Sequence, residues 1–168
     1  MTTPDAISEG DTAIAFLRHT LATLAYRVAK PLRDAPSEYA ELHVGPTSRT
    51  PAQLVAHLGD LMDWALTIAQ NREKWCDSPV QAWSSDVDRL FAAITAFDAF
   101  LASGSVRDVR VLERLFQGPV ADALTHTGQL TMLRRLASAP IRSENYQRAH
   151  IAAGQTGIEQ PRADREFD

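Results

Sequence analysis

With 168 residues, 45% apolar and 23% charged, the chain has the make-up of one globular domain spanning 1–168, and neither a disordered nor a fibrous composition. A formal charge of −4 and the lack of a basic, aromatic stretch argue against a nucleic-acid partner. One cysteine, Cys76, excludes an internal disulfide and fits a reducing compartment. The start "MTTPDAISEG" lacks the basic and apolar parts of a signal peptide, and no window approaches the roughly 18 apolar residues of a membrane span. The expectation is a cytoplasmic protein with no membrane partner.

The spacing predicts a helix over 11–30. Ile14, Leu17, Leu21, Leu24 and Val28 fall at steps of three or four, and Pro31 is expected to stop it. Residues 31–49, with Pro31, Pro36, Gly45 and Pro46, read as a loop. A second helix over 51–72 opens at Thr50-Pro51, a capping residue followed by a proline suited to the first helical position. Leu54, Leu58, Leu61, Ala65 and Ile68 form its buried stripe.

A third helix is predicted over 84–102, capped by Ser84 or Ser85, with Val87, Leu90, Phe91, Ile94, Phe97 and Leu101 inward. Residues 103–110 connect it to a fourth over 118–138, started by Gly118-Pro119 and ended near Pro140. A short C-terminal helix is expected from Ser143 to about Ala153, and the tail 155–168 reads as frayed. The fold class is all-α, a four-helix bundle with a short C-terminal helix.

Two helices carry chemistry on their apolar edges. His57 lies between Leu54 and Leu61, at the rim of the second helix's stripe. Asp122, His126 and Gln129 follow at steps of four and three, so they share one face of the fourth helix. Two imidazoles and a carboxylate give a divalent ion three fixed ligands and leave positions open to water or substrate. The same spacing also suits an ordinary reading. His57 and the His126–Gln129 pair could be hydrogen-bonded polar residues, and Asp122 a favourable charge near a helix start.

Other residues carry less. Cys76 sits in a loop with no activating partner beside it and is expected to be dispensable. His19, His43 and His150 read as surface residues. Trp64 suits either the core or a pocket wall. Asn145 and Tyr146 are candidates to pack over one end of the bundle. Arg134 and Arg135 lie at an exposed edge, where an anion could bind.

The stretches "SRTPAQLVAHLGDLMDWAL" and "ALTHTGQLTMLRRLASAPI" resemble the DinB-like family, the DinB/YfiT-like metalloenzymes. In that family a histidine of the second helix follows a Thr-Pro start, and a cluster H-x-x-x-H-x-G-Q comes from the last long helix. His57 matches the first and His126 the histidine before Gly-Gln, while Asp122 stands where the remaining histidine would be. The resemblance covers most of the chain and implies a bundle of the DinB/YfiT-like type. It selects His57 and His126 as metal ligands, with Asp122 as an oxygen ligand in place of the third imidazole. Gln129 would orient a ligand from behind. The metal would be zinc or nickel, with manganese or iron as alternatives.

The implied activity is that of a hydrolase, or of a transferase using a low-molecular-weight thiol and a small-molecule substrate. The alternative is a non-catalytic stress-response bundle that binds a metal or small ligand. A homodimer is expected from the resemblance.

Overall fold

In the computed structural model, residues 8–167 are described; the first seven residues of the segment read as lacking a signal peptide lie outside them. The secondary structure is helical throughout, apart from one two-stranded antiparallel ribbon. The first helix, α1, spans Glu9–Leu32 and is capped by the Ser8 side chain on the Asp11 amide. Pro31 does not stop it but lies inside its last turn. The proline forfeits the backbone bond that its amide would make to the Arg27 carbonyl, and the chain leaves the helix two residues later, at Arg33. Its carbonyl also accepts from Arg134 Nη1 at 3.4 Å.

The loop that follows is pinned by Tyr39, which is fully buried in a short 3-10 turn, Ser37–Tyr39. Its hydroxyl donates to the Leu130 carbonyl at 2.7 Å. Helix α2, Pro51–Ala69, starts where the sequence indicates. Thr50 accepts from the Gln53 amide while the Gln53 side chain accepts from the Thr50 amide, which closes a capping box. It ends at Gln70, before Asn71 with φ of 54°.

Helix α3 spans Trp83–Ala102 and packs most extensively on α2. Its N-cap is Ala82, not the expected Ser84 or Ser85. No side chain caps it; Asp86 instead reaches back beyond the cap, its carboxylate accepting from the Gln81 amide at 2.8 Å. Arg18 of α1 holds Asp98 of α3 through two hydrogen bonds of 2.9 and 3.0 Å. The apolar stripes of α1, α2 and α3 meet in one core with Leu112, Leu115, Leu130 and Leu133.

The last helical segment is longer than predicted. Helix α4, Val109–Leu115, passes through a wide turn at Phe116–Val120 straight into α5, Ala121–Leu136. Gly118-Pro119 therefore does not start a helix. The Ala121 amide reaches back five residues to the Phe116 carbonyl, and this looser winding admits a proline that lacks an amide hydrogen. Asp122 consequently sits well inside a continuous helical run, and a free helix start no longer accounts for it.

No short C-terminal α-helix forms. Ser143–Glu144 is a strand, β1, followed by a 3-10 turn at Tyr146–Arg148. The tail returns, and β2, Glu166–Phe167, pairs with β1 in antiparallel register. The reason is side-chain chemistry. Glu144 is buried, and takes Tyr26 Oη at 2.5 Å and Lys30 Nζ at 2.9 Å, while Lys30 also bonds Glu166 at 2.8 Å. These contacts hold the segment extended across α1. Among the described residues no helix is long and apolar enough to cross a membrane.

Candidate metal centre

The packing of α2 against α5 brings His57, Asp122 and His126 together, with one donor atom from each within 4.8 Å of the others. His57 Nε2 lies 3.6 Å from Asp122 Oδ2, and His126 Nε2 lies 3.4 Å from Asp122 Oδ1. The imidazole rings meet edge to face, with centroids 4.9 Å apart and planes at 82°. Both histidines are largely buried, at 17% and 13% side-chain exposure, while Asp122 is 46% exposed and forms the open side.

These distances have a physical meaning. An N–H···O hydrogen bond is strongest at about 2.7–3.2 Å, and both histidine–carboxylate separations lie beyond that range, with neither pair in hydrogen-bonding geometry. Ligands held at about 2.1 Å from a tetrahedral ion are about 3.4 Å apart. Each histidine nitrogen is about one such edge from a carboxylate oxygen, His57 from Oδ2 and His126 from Oδ1, and one donor atom from each residue lies within 4.8 Å of the others, so the group could hold a divalent ion once its donors draw closer.

Gln129 sets the tautomer. Its Oε1 lies 2.8 Å from His126 Nδ1. With that oxygen accepting, Nδ1 carries the hydrogen and the Nε2 lone pair points at the cluster, as metal ligation requires. Burial, then the Arg49 guanidinium and the neighbouring His126 ring, hold His57 below its ordinary value of 6.5, with Asp122 opposing. Its neutral, ligating form is thereby favoured near neutral pH.

Two neighbours were not apparent from the sequence. Trp75, in the loop after α2, places its ring edge on to His57, with centroids 5.7 Å apart, and continues to Trp64 at 5.6 Å. The Trp64 indole donates to Glu73 at 3.2 Å, so Trp64 supports the loop that carries Trp75. No periodicity marks a loop residue, which is why Trp75 gave no signal. Arg49, one residue before the cap of α2, stands between His57 and a cavity of about 420 Å³. That cavity is bounded by His126, Gln129 and the apolar side chains of Val44, Met132 and Leu136.

The Trp75 loop is anchored by charge. Asp60 accepts from the Ser78 amide at 3.1 Å and from Arg89 at 2.9 Å, and Arg89 also donates to the Ala56 carbonyl at 2.6 Å. Arg89 rests on the bare backbone of Gly59, where a Cβ would come within 2.8 Å of the guanidinium. Cys76 is exposed beside Trp75. His19, His43 and His150 are exposed and stand apart from the cluster. Arg134, expected at an exposed edge, is buried; it bonds the Ala139 carbonyl at 2.9 Å and lies over Tyr39.

Compared with known proteins, the chain matches no family model, no curated protein and no solved structure.

Proposed function

We propose that this chain is a four-helix metalloprotein of the DinB-like type, with His57, Asp122 and His126 as ligands of a zinc or nickel ion. The observation that carries the reading is the pair of imidazole nitrogens facing one carboxylate at tetrahedral-edge distance, without a hydrogen bond between them. A divalent ion bound there would act as a Lewis acid and lower the pKa of a water or thiol. The residues of the chain supply the rest. Gln129 fixes the His126 ring, burial keeps His57 neutral, and Asp122 leaves the outward side open. Arg49 stands where it would meet an anionic group on a small substrate.

The activity proposed is that of a metal-dependent hydrolase or a low-molecular-weight-thiol transferase acting on a small molecule. Elemental analysis of protein purified without a histidine tag tests the centre, and near-stoichiometric zinc or nickel is expected. Incubation of that protein with a thiol and an electrophile, with thiol loss followed, tests the activity. Bound metal without thiol consumption or hydrolysis would favour the second reading, a non-catalytic binding bundle, for which the aspartate in the third ligand position speaks.

A further inference from the structure

A second cavity, of about 420 Å³, opens on the other face of α5. Leu124, Thr127, Gly128, Thr131 and Arg135 line it. At about 100° per residue these positions point roughly opposite to Asp122, His126 and Gln129. Its size is within the range of small-molecule sites. It is therefore separate from the metal centre and does not depend on that reading.

Three arginines line this cavity, Arg27, Arg135 and Arg142. Among the described residues they are little engaged. Arg27 lies over the Tyr146 ring at 4.1 Å, Arg135 donates to Ser143 Oγ at 3.3 Å, and Arg142 is 3.9 Å from Glu166. Each guanidinium has five N–H donors, so most remain free to meet a ligand. The one lining carboxylate, Glu144, has both oxygens occupied by Tyr26 and Lys30. Its charge is answered from behind, and the cavity is left positive.

Gly128 adds an independent observation. Glycine weakens a helix interior relative to alanine, and nothing about its surroundings demands one. Its φ is not positive, and a Cβ there would meet no atom within 4 Å. Gly128 forms part of the cavity wall, and a long side chain in its place would project into the open space.

We infer that this cavity binds a small organic oxyanion carrying two negative charges, its charged end on Arg135 and Arg142 and its apolar part against Leu124, Ile141 and Tyr146. Guanidinium pairs recognise phosphate and carboxylate oxygens alike.

Calorimetric titration of the whole protein with phenyl phosphate and, separately, phthalate tests this. At least one dianion should bind with Kd below about 1 mM; the phosphate alone, the dicarboxylate alone, or both would name the preferred group. The variant combining Arg135→Gln with Arg142→Gln should weaken that binding by at least about tenfold. Gly128→Leu, which fills the cavity with a good helix former, should weaken it similarly while melting no lower than the wild type. Absence of binding by both dianions would overturn the inference. So would variants that bind as tightly as the wild type.

Discussion

Glu144, on one side of α5, has a close partner for each carboxylate oxygen, Tyr26 at 2.5 Å and Lys30 at 2.9 Å. Asp122, on the other side, faces two histidine nitrogens at 3.6 and 3.4 Å and hydrogen-bonds to neither. A buried polar group left unpaired is costly, so a saturated cluster is what a structural role requires. A cluster whose donors converge without bonding one another leaves room between them. The first cluster belongs to the fold; the second could hold an ion.

Breaking the saturated cluster should have the largest effect on stability. Glu144→Ala leaves the Tyr26 hydroxyl without its partner and the Lys30 charge with Glu166 alone, at an expected cost of about 2 kcal/mol. A urea titration monitored by circular dichroism measures it, and a loss under about 1 kcal/mol would contradict the contrast.

The open cluster should behave the other way. His57→Ala or His126→Ala should weaken metal binding on the order of 100-fold or more, since even outer partners of a ligand are worth about 10–100-fold. The metal-free variants should keep the wild-type unfolding free energy, measured by urea titration, to within about 1 kcal/mol. Competition with a chromophoric chelator reads the first effect.

Gln129→Ala sharpens the comparison, because its one contact with the cluster is through His126 Nδ1. A roughly tenfold loss of metal affinity is expected, with the ligand set unchanged by X-ray absorption.

The smallest effect concerns pH. The hydrogen bond from Lys30 holds Glu166 below its ordinary value of 4.5. The folded state thus binds fewer protons than the unfolded chain in the window just below 4.5. The pair's contribution is fully present above that value and is lost as pH falls through the lowered one. Glu166→Gln should flatten the acid side of the stability–pH curve by at most about 1 kcal/mol, because the Glu166 side of the pair is partly open to water.

Parts of both regions were legible in the sequence for local reasons. The Thr50-Pro51-Gln53 start and the apolar stripes marked α1, α2 and α3, because capping and period 3.6 depend on neighbours along the chain. The shared face of Asp122, His126 and Gln129 follows from the same period. Gly118-Pro119 misled for a local reason too. It reads as a breaker, and only a run already helical from Val109 carries the backbone through it in a wide turn. Glu144 gave no sign of its role. Its partners lie 118 and 114 residues away, and their pairing turned an expected helix into a strand.

What the sequence by itself determined is therefore what short-range geometry dictates: helical segments, their buried faces, one cap, and which polar residues share a face. Tertiary structure alone decided that His57 stands 3.6 Å from Asp122, that Trp75 and Arg49 border the pair, that Arg134 is buried, and that the tail closes over Lys30. These depend on the angle and register at which helices pack. Those are set by the fit of many side chains at once, which no local pattern encodes.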